Sequence, residues 1–178
     1  MIDSLNTDRL RDIRDRAIIL LCAMYGLRSA EVRQLRLDDI DWESGRISIW
    51  RPKLQRRHEY PLTRTVGQSI IRYLSEGRPK STRRELFLTL RAPYRPLSGG
   101  AVYRAVRNRF AELAIASKRR GPHSLRHACA THLVQQGLSF KEIGDHLGHR
   151  SSSATQIYAK VDLHSLRQVA ALNTRGVI

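Results

Sequence analysis

The chain has 178 residues, 41% of them hydrophobic, with 32 Lys and Arg against 16 Asp and Glu and a formal charge of +16. That length suits one domain, that apolar fraction is enough to bury a real core and argues against a disordered chain, and that charge favours a polyanionic partner over tight self-packing. The longest apolar run, Ala17 to Met24, is too short to cross a bilayer, the polar Met1-Ile2-Asp3-Ser4 start is unlike a secretory signal, and no CxxC pair supports a zinc ribbon. Cys22 and Cys129 lie in apolar runs and read as free core thiols, so a cytoplasmic location is expected.

In chain order, residues 9–25 carry a helical stripe of Leu10, Ile13, Ala17, Leu20, Leu21 and Met24. Gly26 is placed to end it, and Ser29 to cap a short helix from Ala30 to Leu35. Asp41 to Arg46 is a turn signal, Ile47-Ser48-Ile49-Trp50 alternates like a strand, and His58-Glu59-Tyr60-Pro61 ends another. A small antiparallel sheet with a basic turn at Pro52–Arg57 is expected. Helix resumes from Thr63 to Tyr73, a polar basic loop covers Gly77 to Arg84, and Leu86-Phe87-Leu88-Thr89 reads as a short strand. Beyond Ser98 the pattern is helical over 99–116, 123–136, 140–147, 151–160 and 163–172, with breaks at Gly121-Pro122, Gly137 and Gly148. The fold class is therefore mainly α with a small antiparallel β-sheet. No linker divides the chain, so residues 1–178 are expected to form a single domain.

Five local patterns carry chemistry. Arg28 follows the apolar helix and Gly26, with Glu31 three residues on; alone it is a surface arginine beside a cap. His123 and Arg126 share one face of a helix whose N-terminus favours an anion, and a guanidinium fork fits two phosphate oxygens. His149 stands at a helix end after Leu147-Gly148, ordinarily a capping or surface position. Tyr158, in Thr155-Gln156-Ile157-Tyr158-Ala159, is alone an interface or core tyrosine. Lys53 lies among Arg51, Arg56 and Arg57 and alone is a solvated charge facing nucleic acid. His123 and His127 form a His-x-x-x-His pair of helical zinc-ligand spacing, with His132 five residues further on, but no acidic third ligand stands nearby, so no metal and no cofactor are expected.

In this order and spacing the set resembles the tyrosine recombinases, the phage integrase family. Arg28, Lys53, His123, Arg126, His149 and Tyr158 match the family's Arg, Lys, His-x-x-Arg, His and Tyr. Leu37-Asp38-Asp39-Ile40-Asp41 and Leu147-Gly148-His149 extend the likeness over about residues 10 to 172. The resemblance implies a tyrosine recombinase catalytic-domain-like fold. It also implies DNA strand cleavage and rejoining, in recombination or integration, through a 3′-phosphotyrosyl intermediate, without metal or ATP. Those six residues would be catalytic, and Glu31 and His127 would support them. Family members usually carry an upstream core-binding domain, and this chain is expected to lack it.

Double-stranded DNA is the expected partner. Arg51, Arg56, Arg57, Arg104, Arg107, Lys118, Arg119 and Arg120 are the candidate DNA contacts, with further basic residues at Arg78–Arg84 and Arg109. Residues 161–178 are read as a C-terminal helix and tail that either pack on their own core or dock on a neighbouring protomer. Two rival readings stay open: a helix-turn-helix regulator built on Leu133 to Leu147 around Gly137, and a type IB topoisomerase-like relaxation activity.

Overall fold

In the computed structural model, residues 2–115 and 120–148 are described. The first helix, α1 (Leu10–Met24), is buried nearly all round. Ile18, Ile19, Leu21 and Cys22 have no exposure, whereas Leu10 and Met24, expected on the core stripe, are 51% and 44% exposed. The reason is position: α2 (Ser29–Gln34), α3 (Arg64–Arg72), the π-helical turn Tyr73–Gly77 and α4 (Gly99–Glu112) all pack on α1. A helix surrounded by neighbours needs apolar residues on every side, and its ends are where solvent reaches it. Buried Asp15 is held by Arg14, whose Nε and Nη2 donate to Oδ1 at 3.0 and 2.8 Å.

Gly26 takes φ 62°, a left-handed conformation that ends α1 and turns the chain into α2. The cap of α2 falls on Arg28, one residue before the expected Ser29: the Glu31 carboxylate accepts the Arg28 backbone N–H at 2.8 Å. The sheet has the order β1 (Ile40–Asp41), β2 (Arg46–Arg51), β3 (Arg56–Pro61), antiparallel throughout, with Ile47 opposite Tyr60 and Arg51 opposite Arg56. Period-two alternation puts Ile47, Ile49 and Arg51 inside and Trp50 outside.

The expected strand at 86–89 is a buried extended segment and not a strand; Leu88 makes one isolated bridge, to Pro96. Leu86, Phe87 and Leu88 are fully buried. Their backbone is satisfied singly: Leu86 N–H donates to Leu35 O at 2.8 Å and Leu88 N–H to the Tyr73 hydroxyl at 3.1 Å. Such scattered partners satisfy buried backbone groups without building a ladder. Ser98 caps α4 by accepting Ala101 N–H at 3.2 Å.

The chain divides into two compact units, Met1–Arg126 and His127–Ile178. Helix α5 (Pro122–Gln135) begins in the first and continues into the second. Within the second, Cys129, Ala130, Ile143 and Leu147 form a small core between α5 and α6 (Phe140–Leu147), joined by a turn at Gly137. Ser139 and Glu142 cap α6 reciprocally. The described residues are thus mainly helical with one small antiparallel sheet. The helices expected at 151–160 and 163–172 lie outside the described residues.

Candidate active site

Two contacts gather the arginine candidates. Gly26 takes the left-handed turn after α1, and Arg126 Nη1 donates to its carbonyl oxygen at 2.6 Å. Arg126 is 6% exposed, so the bond is made in a dry environment. The guanidinium of residue 126 is thereby fixed against the backbone two residues before Arg28.

Glu31 organises the other side. Its Oε1 accepts from Arg28 Nη1 and its Oε2 from Arg51 Nη1, both at 2.8 Å. The Glu31 and Arg51 side chains are 2% and 1% exposed, while that of Arg28 is 26% exposed. One buried carboxylate is therefore shared between a buried guanidinium and one that reaches solvent. Arg51 Nη2 also donates to the Tyr60 hydroxyl, and its guanidinium carbon lies 5.6 Å from the Tyr60 ring centroid. Burial pushes the Tyr60 phenol above its ordinary pKa, an effect opposed by the positive charges of Arg51 and Arg126. Arg28, Arg51 and Arg126 against Glu31 leave the locus with a net positive charge.

Arg51 corrects the sequence reading, which put it among the DNA-facing charges. Its place on the inner face of β2, in line with Ile47 and Ile49, buries it against Glu31 and Tyr60. The signal was present in the strand's period-two pattern and in the acidic partner at Glu31; the surrounding basic run concealed it. Tyr60 was likewise missed as a member of the cluster, since in sequence it reads as a strand end.

Other expected residues fall elsewhere. Lys53 is exposed in the turn between β2 and β3, two residues beyond Arg51. His123 is exposed in the first turn of α5, one helical turn before Arg126. His127 is exposed and opens the second unit. His149, Tyr158, Lys118 and Arg119 lie outside the described residues.

Among the proposed DNA contacts, Arg56, Arg57, Arg104, Arg107 and Arg120 are exposed. Arg57 also pairs with buried Asp39 at 2.5 Å. Three further arginines are structural. Arg109 is 9% exposed and holds Glu112 and the Ser4 carbonyl, Arg78 donates to the carbonyls of Arg83, Glu85 and Leu86, and Arg84 pairs with Asp38. Among the described residues no group of three or more His, Cys, Asp or Glu is placed to hold a metal ion, and no helix is long and apolar enough to cross a membrane.

Comparison with known proteins gives a consistent likeness. The model of the phage integrase family matches residues 1–165. The Sinorhizobium fredii protein y4gC, named for an integrase or recombinase, is 44% identical over 159 residues, covering 89% of this chain and 82% of y4gC. The tyrosine recombinase XerC of Halalkalibacterium halodurans is 32% identical over 177 residues, covering 95% of this chain and 57% of XerC. A second Sinorhizobium fredii relative, y4rA, is covered over 41% of its length. Against several relatives, then, the chain spans about half of the longer protein. In structure, the XerH site-specific recombinase bound to palindromic difH substrate superposes with a TM-score of 0.80 at 24% identity, over 96% of this chain and 48% of XerH. At that identity the match speaks to the fold.

Proposed function

Because the chain belongs to the phage integrase family, we propose that it cuts and rejoins DNA at specific sites, with Tyr158 as nucleophile. The observation that supports the reading is the Arg126–Gly26 bond, which holds a second guanidinium on the backbone two residues before Arg28. A phosphodiester passing through five-coordinate phosphorus gains charge on its non-bridging oxygens, and two fixed guanidiniums are suited to that charge. Arg28 reaches solvent and Arg126 is held in place, so the pair offers both access and rigidity.

In this scheme the Tyr158 oxygen attacks phosphorus, the bond to the 5′ oxygen breaks, and a 3′-phosphotyrosine forms. A phenol ordinarily titrates near 10, so at neutral pH it must give up its proton during attack; His123 accepts it. Lys53 protonates the departing 5′ oxygen from the exposed hairpin turn, where it can swing toward bound DNA. His149 donates to a non-bridging oxygen, and Glu31 and His127 keep the donors in position. The reverse attack by a 5′ hydroxyl rejoins the strand, and the phosphotyrosine conserves the bond energy without ATP. Arg56, Arg57, Arg104, Arg107, Lys118, Arg119 and Arg120 serve the DNA backbone. Self-association on DNA through residues 161–178 and a cytoplasmic setting complete the proposal.

The test uses nicked duplex carrying a candidate site, which traps the covalent intermediate. The wild-type chain is expected to give a protein–DNA adduct that survives denaturation, and Tyr158→Phe none. An adduct of equal yield from the Phe variant would remove Tyr158 from its role.

A further inference from the structure

We infer that Arg51 is a positioning residue that acts through Glu31: it takes up the negative charge of that carboxylate, so that the positive charge of Arg28 remains available to an anionic phosphate. The inference rests on the strand-transfer reading above and adds to it a residue that touches no DNA.

The inner face of β2 is otherwise apolar, with Ile47 and Ile49 fully buried. A third aliphatic residue at position 51 would continue that face. A guanidinium at 1% exposure must instead be stripped of water, and a buried ion pair seldom recovers that cost against a well-packed apolar side chain. Stability alone therefore gives a weak reason for Arg51.

Electrostatics gives a stronger one. Glu31 fixes Arg28 through both its backbone N–H and its Nη1. With Arg28 as its sole counter-charge, the carboxylate would cancel most of the field that Arg28 presents to a phosphate a few ångströms further out. Low exposure would make that cancellation stronger, since little water intervenes. Arg51 Nη1 donates to Oε2 at 2.8 Å, the oxygen that also accepts the Arg28 backbone N–H, while the Arg28 guanidinium meets Oε1. Glu31 then holds Arg28 in place while a second, buried guanidinium answers its charge. The Tyr60 hydroxyl accepts from Arg51 Nη2 and sets the plane of the fork.

The experiment measures adduct formation by the full chain on nicked duplexes whose scissile group is either a normal phosphate or an uncharged methylphosphonate. Arg51→Met is expected to slow adduct formation on phosphate by about 10- to 100-fold, the range seen when a group supporting a site's primary contacts is lost. Arg51→Lys is expected to recover most of that rate. On methylphosphonate, which carries no charge for Arg28 to meet, the Arg51→Met and wild-type rates should approach parity. Comparing the two substrates on one preparation cancels any loss of folded protein. Where Arg51→Met alone folds too poorly to assay, Arg51→Met with Glu31→Gln removes both buried charges together, and its ratio of phosphate to methylphosphonate rates is expected to return to the wild-type value; a ratio well below it overturns the inference. An unchanged rate for Arg51→Met on phosphate, or an equal loss on both substrates, overturns the inference while leaving the wild-type adduct intact. A wild-type chain that forms no adduct on either substrate overturns the strand-transfer reading itself and the inference with it.

Discussion

At residue 31 a single carboxylate decides the local chemistry. It caps α2 through the Arg28 N–H, pairs two guanidiniums, and adds to the burial that pushes the Cys22 thiol up to about 12. Burial is the larger cause for Cys22 and the charge of Glu31 the smaller. Since the thiolate is the reactive form, Cys22 is expected to stay unmodified by iodoacetamide at pH 8 in the folded chain and to react once the chain is unfolded, as peptide masses would report. The same burial acts on phenols. Tyr60 and Tyr73 both have pKa values raised by desolvation in the folded state. A raised folded value means their contribution to stability is complete below the unfolded value near 10 and is lost as pH rises through the folded one. The melting temperature should therefore drop above pH 10, and Tyr60→Phe should flatten that drop. The sequence marked Arg28, Glu31 and Arg126 as candidates by type and spacing. It concealed Arg51, because an arginine in a run of basic residues looks solvated unless strand register is followed one residue further.

Among the elements, those with a strong period were legible: α1, α3, α5 and α6 lie within a residue or two of their expected bounds, α4 starts where expected but ends at Glu112, four residues short of 116, and the hairpin is where the turn residues put it. What escaped was tertiary. The cap of α2 moved to Arg28 because Glu31 folds back on its backbone, a contact no N-cap preference for serine encodes. The segment around Phe87 has strand-like residues but, among the described residues, only isolated bridges and no strand to pair with, so it is held by Leu35, Tyr73 and the chain near Arg95. Its side chains nonetheless belong to the core: Phe87 packs on Tyr73 with ring centroids 5.2 Å apart. Phe87→Ala is expected to cost about 3–5 kcal/mol in urea unfolding, whereas Trp50→Ala, on the exposed face of β2, should stay within about 0.5 kcal/mol.

For the molecule as a whole, net charge was informative about partner class and silent about which charges face outward. Arg78, Arg84 and Arg109 are spent on carbonyls and carboxylates of the chain itself. Arg104 and Arg107, on the exposed side of α4, make no such commitment among the described residues. If they contact phosphates, each of Arg104→Gln and Arg107→Gln should weaken binding to unrelated duplexes alike and lower the salt slope of the affinity by about 1, measured by anisotropy across sodium chloride concentrations. The helical composition and small sheet were readable because both follow from local pattern. That residues 28 and 126 belong to one site came only through the family resemblance, and the place of residue 51 beside them was not readable, because it depends on how distant segments meet.

The bond between Arg126 and Gly26 O spans 100 positions of the chain. During synthesis the N-terminal helices can form while position 126 is still inside the ribosome, so the growing polypeptide carries Arg28 without its companion. A contact of such long range is made late, after the segments between have been ordered. On the proposed function, a translation product ending before residue 126 would inherit the basic surface without the guanidinium that meets Gly26, and so without the means to cut.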